Sequence, residues 1–121
     1  MTNPYSIVGI VGAGAMGRGI AQIAAQAGSG VRMFDLQPGA ADRARTAVLS
    51  QWQKLAEKGR MSPEHLSQST QALSVATSLD ELRDCQLVIE AVVERLDVKK
   101  ALFSDLEGIV PDNCVLATNA S

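Results

Sequence analysis

The sequence predicts an α/β fold built on a doubly wound parallel sheet, and three observations carry that prediction. The first is the apolar run Ile7, Val8, Ile10 and Val11, rich in branched residues and apolar on both faces, as in a parallel strand covered by helices on each side. The second is Gly12, Gly14 and Gly17 directly after that run, in the order strand, turn, helix. The third is Asp35, which closes a second apolar run, Val31 to Phe34, about 20 residues beyond the glycines. A glycine triplet alone also fits an ordinary turn. The full order of strand, turn, helix, strand and acid is what makes it specific.

Each element follows from local chemistry. Gly12 permits the tight turn off the first strand, Gly14 lets a phosphate approach the backbone without meeting a Cβ, and Gly17 lets the next helix lie close to the sheet. That helix is expected to bury Ile20, Ile23, Ala24 and Ala27 and to stop at Gly28. Its free amide groups and positive dipole end suit a pyrophosphate, so Gly12, Gly14 and Gly17, with Ala15 and Met16 between them, form the expected phosphate loop of a Rossmann-type domain. Asp35 stands where such a fold binds the adenosine ribose hydroxyls. A carboxylate there repels a 2′-phosphate, and Leu36 and Gln37 supply no basic replacement, so NAD is expected rather than NADP.

After Asp35 comes a helical excursion. Pro38 fits a first helical position, and a long helix is expected to about Lys58, with Ala41, Ala44, Val48, Trp52 and Leu55 as its apolar stripe. Ser62-Pro63-Glu64 reads as the cap and first turn of a shorter helix to about Gln71. The excursion exceeds a minimal crossover, either as a substrate-contacting arm or as a surface extension. His65, the chain's single histidine, reads as a surface residue with no catalytic partner in sequence. A short strand, Leu73 to Ala76, and a turn capped by Ser78 and running from Leu79 to Arg83 follow. The fourth strand is the run Leu87 to Val92, interrupted by Glu90. Ligands in such sheets bind beyond the carboxyl ends where strand order reverses, which points at the segment from Glu90 to Lys99. Asp97 is expected to cap a helix to Glu107 or Gly108, with Val98, Leu102, Leu106 and Ile109 buried. Lys99 and Lys100 fall in its first turn, where the macrodipole disfavours a cation by about 0.3–1 kcal/mol. Either lysine thus has a functional reading beside a solvated one. Pro111-Asp112-Asn113 makes a turn into a fifth strand, Cys114 to Ala117.

Composition bounds the function. At 121 residues the chain is one domain, 1–121, with 46% hydrophobic and 20% charged residues and a net charge of -2, which argues against a nucleic-acid partner. The run from Ile7 to Met16 is too short to span a bilayer, so no membrane partner is expected. Cys85 and Cys114 show no metal-ligand spacing and read as small buried residues of a reduced, cytoplasmic protein. No nucleophile and base pair stands out, so the chain offers a cofactor site without the groups to transform a second substrate.

Three stretches together resemble a known family: Gly12 to Ala21, then Glu90-Ala91-Val92-Val93-Glu94 with Lys99, Phe103 and Leu106, and finally Leu116-Ala117-Thr118-Asn119-Ala120-Ser121. On these the chain resembles the N-terminal NAD-binding domain of the 3-hydroxyacyl-CoA dehydrogenases, including bacterial 3-hydroxybutyryl-CoA dehydrogenases. The resemblance implies that the glycines hold the pyrophosphate, that Asp35 holds the adenosine ribose, and that Glu94, Lys99 and Asn119 line the nicotinamide side. It also implies that Lys58 touches the CoA substrate and that Ser121 neighbours the reacting hydroxyl. Ala120 departs from the threonine usual there, which bears on fine substrate preference. The implied reaction is hydride transfer between C3 of an (S)-3-hydroxyacyl-CoA and NAD in fatty-acid β-oxidation. The resemblance puts the catalytic histidine, its glutamate and the helical domain of a homodimer beyond Ser121, so the fragment is expected to bind NAD without turnover. Two other readings stay open: a dehydrogenase of the 3-hydroxyisobutyrate or 6-phosphogluconate type, and a non-catalytic dinucleotide-sensing domain.

Overall fold

A computed structural model of the chain describes residues 6–92 and 96–118. Five strands, β1 (Ile7–Val11), β2 (Gly30–Phe34), β3 (Leu73–Val75), β4 (Leu87–Glu90) and β5 (Val115–Thr118), form one sheet in the order β3-β2-β1-β4-β5. Every pairing is parallel. The chain first winds outward from β1 to β3 and then restarts on the other side of β1 with β4. Strand order therefore reverses between β1 and β4, at the carboxyl end of β1. The helices are α1 (Ala15–Gln26), α2 (Ala40–Glu57), α3 (Pro63–Ala72) and α4 (Leu96–Ile109), with a 3-10 turn at Leu79–Leu82.

Alternation along the strands divides the core into two clusters. Val8, Ile10, Val31, Met33 and Leu73 pack with Ala21 and Ala25 of α1 and with Val48 and Trp52 of α2. Val11 and Val88 pack on a second cluster with Leu82, Cys85 and the α4 residues Leu102 and Leu106. The α2 stripe is as expected, with Ala41, Ala44, Val48 and Trp52 buried and Leu55 half-buried.

The buried face of α1 matches the expected one only in part: Ile20 and Ala24 pack half-buried against the core, but the fully buried line lies elsewhere. It consists of Gly17, Ala21 and Ala25, four residues apart, while Ile23 is 71% exposed and Ala27 is also exposed. The close approach is sharpest at Gly17, where a Cβ would stand 1.8 Å from the Gly12 carbonyl oxygen, so at that position the helix lies too near the loop for any side chain. Branched residues are displaced to its flanks. Gly28 has φ +103 and ends the helix as expected.

Several boundaries also shift. Gly39, with φ +79, caps α2, so Pro38 precedes the helix instead of beginning it. Asp97 lies inside the first turn of α4, which begins at Leu96. Ala76 lies outside β3, Ala91 and Val92 lie beyond β4, and β5 runs from Val115 to Thr118, leaving Cys114 in the preceding turn.

Ser62 does cap α3, its Oγ accepting the His65 N–H at 3.1 Å. The His65 ring is half-buried, with Nε2 3.0 Å from the Gln26 carbonyl oxygen. It therefore clamps α3 to the end of α1, where helix carbonyls lack partners, and is not a free surface group. Among the described residues no helix is long and apolar enough to cross a membrane, and no acid, cysteine and histidine cluster could hold a metal ion.

Candidate functional site

Register decides what meets at the sheet's carboxyl edge. Phe34 pairs with Val11, Val11 with Glu90, and Glu90 with Thr118, so these four residues form one row across β2, β1, β4 and β5. The next residue after each of three strands, Asp35 after β2, Gly12 after β1 and Ala91 after β4, consequently rims one open cleft of about 390 Å³. Gly14, Arg18, Arg43 and Val92 also line it.

The glycine loop is fixed from both sides. Gly12 N–H donates to the Phe34 carbonyl at 2.8 Å, and Ala91 N–H donates to the Val11 carbonyl at 2.8 Å. Gly12 has φ +109, and a Cβ there would come within 2.9 Å of the Ala91 carbonyl oxygen. Only glycine permits both that backbone turn and that contact. At Gly14 the opposite holds, since a Cβ would meet nothing within 4 Å. Gly14 precedes α1, whose N-terminus has no side-chain cap and no acid in its first turn. The amides of that turn are open to an anion over the cleft.

Asp35 stands at the mouth. Its Oδ2 accepts the Ala13 N–H at 2.7 Å and its Oδ1 accepts the Gln37 N–H at 2.8 Å. The carboxylate is thereby oriented by two backbone groups, each oxygen keeping lone-pair capacity for a hydroxyl. Sequence reasoning missed two basic neighbours. Arg18 reaches the cleft from α1, and Arg43 reaches it from the first turn of α2, where a Cβ on Gly39 would lie 3.0 Å from Nη1. Only the packing of α1 and α2 around the loop brings these side chains beside Asp35.

The other side of β1 holds Glu90, which is fully buried. Its Oε2 accepts the Val92 N–H, its Oε1 accepts the Thr118 hydroxyl at 2.6 Å, and Lys99 Nζ stands 3.6 Å from Oε1. The Lys99 side chain is only 15% exposed. This pairing accounts for a cation in the first turn of α4, because a buried carboxylate nearby outweighs the weaker dipole repulsion. Glu90 is the third residue, after Arg18 and Arg43, to which the sequence alone assigned no role. Its signal was an acid inside an apolar strand, where burial requires partners.

The structure does not bring every expected residue together. Ala15 and Met16 are exposed on the first turn of α1, outside the cleft lining. Lys58 is the C-cap of α2, whose N-terminus is the end nearest the cleft, and a helix of 18 residues is about 27 Å long. Glu94, Asn119 and Ser121 lie outside the described residues.

Groups with shifted titration lie elsewhere. Hydrogen bonds from Thr77 lower the Glu81 carboxyl, and the Arg32 guanidinium lowers that of Asp84 while Asp84 raises Arg32. These residues make a surface network that ties β2 to the turn before β4, and none of them lines the cleft.

Residues 7–121 match the family described as 3-hydroxyacyl-CoA dehydrogenase, NAD binding domain. A probable 3-hydroxybutyryl-CoA dehydrogenase of Bacillus subtilis is 38% identical over 93% of this chain and 39% of its own length. The 3-hydroxybutyryl-CoA dehydrogenase of Mycobacterium tuberculosis is 36% identical over 100% of this chain and 43% of its own. Among solved structures, the 3-hydroxybutyryl-CoA dehydrogenase of Escherichia coli superposes with a TM-score of 0.93 at 34% identity, covering 98% of this chain and 25% of that one. The chain thus spans about two fifths of the length of these two relatives. With a glycine loop, a strand-end acid and an open helix N-terminus grouped at the switch point of a parallel sheet, and with that match across residues 7–121, the chain belongs to the NAD-binding domain family of the 3-hydroxyacyl-CoA dehydrogenases.

Proposed function

We propose that this chain is the cofactor half of a dehydrogenase that interconverts (S)-3-hydroxyacyl-CoA and 3-ketoacyl-CoA. The observation that carries the reading is the hydrogen bond from Ala13 N–H to Asp35 Oδ2, which sets a ribose-binding acid against an open phosphate cradle. The residues present fit NAD. Gly14 leaves the cradle free, the α1 amides face a pyrophosphate, and Asp35 offers acceptors to two ribose hydroxyls. NAD, when bound, supplies hydride transfer at its nicotinamide.

Everything else is orientation by the chain. Gly12, Gly14 and Gly17, with Ala15 and Met16 on the first turn of α1, hold the diphosphate, and Asp35 excludes a 2′-phosphate. Glu94, Lys99 and Asn119 serve the nicotinamide side, and Ser121 stands near the substrate hydroxyl. Lys58 lies at the end of α2 far from the cleft, and the long helix serves as an arm that brings it to the distant part of a CoA substrate. The reading assigns proton transfer to a histidine and its glutamate partner beyond Ser121, along with the helical domain of a homodimeric, cytoplasmic enzyme. His65 cannot substitute, because its ring is engaged at the end of α1.

The test is direct. Calorimetric titration of the 121-residue chain is expected to show NADH binding, while acetoacetyl-CoA leaves NADH absorbance unchanged. Steady oxidation of NADH would overturn the assignment of catalysis to further sequence. Failure to bind NADH would overturn the cofactor role.

A further inference from the structure

Glu90 is a fully buried carboxylate beneath the cleft floor, and three different elements converge on it. Val92 N–H comes from the segment leaving β4, the Thr118 hydroxyl from the end of β5, and Lys99 Nζ from the first turn of α4. As a stabilising device this is a poor choice, since burying a charge is costly and an apolar residue of similar volume in a sheet core is commonly as stable. What the carboxylate does supply is direction. Ala91 and Val92 rim the cleft opposite Asp35, and the same carboxylate sets the backbone of Val92 and the side chain of Lys99.

Sheet order gives that direction a meaning. Asp35 lies on the β2 side of the glycine loop and Glu90 on the β4 and β5 side. A dinucleotide that crosses the switch point, with its adenosine at Asp35, must lay its other nucleoside over β4 and β5. We propose that Glu90 is a positioning residue for that second half of the site: its carboxylate aims Lys99 and fixes the ends of β4 and β5 beneath the nicotinamide nucleoside, without touching the cofactor itself. This rests on the NAD-binding reading above.

Two probes separate the halves of the cleft. ADP occupies only the adenosine and phosphate side, whereas NADH occupies both. In calorimetric titrations of the full 121-residue chain, Glu90→Gln keeps the shape but removes the charge that aims Lys99. It is expected to weaken NADH roughly tenfold while leaving ADP within about twofold. Lys99→Met is expected to weaken NADH to a similar degree, and the double variant to add little, since both act through one interaction. Thr118→Val, which takes away the hydroxyl that holds the same carboxylate, is expected to weaken NADH with ADP unchanged. It decides the matter on the same criteria if Glu90→Gln does not fold and so binds neither probe. Unchanged NADH affinity in the variants, or equal losses for ADP and NADH, would overturn the positioning role. If the unsubstituted chain binds neither ADP nor NADH, it is the cofactor reading that fails.

Discussion

Asp35 Oδ2 accepts the backbone N–H of Ala13 at 2.7 Å, so the acid at the end of β2 is also the tie that holds the glycine loop. Replacing it removes a ribose partner and loosens the phosphate cradle together. Asp35→Ala is therefore expected to weaken NAD by about tenfold or more, the scale of a hydrogen bond to a charged group. Lys58→Ala, at the far end of α2, is expected to leave NAD affinity unchanged. Equal losses by calorimetry would contradict both assignments.

Arg43 lines the cleft beside Asp35, which gives cofactor preference a simple electrostatic basis. With the carboxylate present a 2′-phosphate is repelled, and without it the guanidinium is a ready anion partner. Asp35→Ser is expected to narrow the preference for NADH over NADPH by roughly tenfold. Adding Arg43→Ala should reverse that gain. A narrowing that survives the second substitution would show that Arg43 has no part in it.

Gly14 and Gly17 lie three residues apart and answer to different constraints. A Cβ at Gly17 would overlap the Gly12 carbonyl oxygen at 1.8 Å, so Gly17→Ala must push α1 from the loop, at a cost of about 1–3 kcal/mol or more. A Cβ at Gly14 meets open space, so Gly14→Ala should alter the melting temperature little while weakening NAD, because its methyl enters the cradle. Thermal unfolding and NADH titration of the two variants separate these effects, and similar melting temperatures would count against the close approach of α1.

Cys85 lies buried under β1 and β4, and burial pushes its thiol up to about 11 from an ordinary value of 9.0. The folded chain holds this proton more tightly than the unfolded one. Stability from this group is thus intact below about pH 9 and declines as pH rises from there through 11. Urea unfolding at successive pH values is expected to show that decline, and Cys85→Ala should lessen it. At pH 8 a thiol reagent should modify the half-buried Cys114 well before Cys85, and the reverse order would contradict the burial.

The sequence by itself determined the strands, the phosphate turn and the acid at the end of β2, because each depends on near neighbours. An apolar run, a glycine that alone tolerates positive φ, and a strand-end carboxylate are local signals. It also specified the α2 stripe, since Ala41 through Trp52 follow the helical period. Tertiary structure decided the rest. Period alone marks Ile23 as buried, whereas it is 71% exposed and the line of α1 laid against the loop begins at Gly17, where a Cβ would stand 1.8 Å from the Gly12 carbonyl oxygen. Arg43 beside Asp35, and Glu90 joined to Thr118 and Lys99, are separated along the chain and meet only through packing and parallel register. The phosphate and adenosine side of the cleft was legible because its chemistry is local to β1, α1 and β2; for the segment from Glu90 to Lys99 only its place at the switch point was legible, because the contacts of Glu90 with Thr118 and Lys99 join β4 to β5 and α4 across the fold.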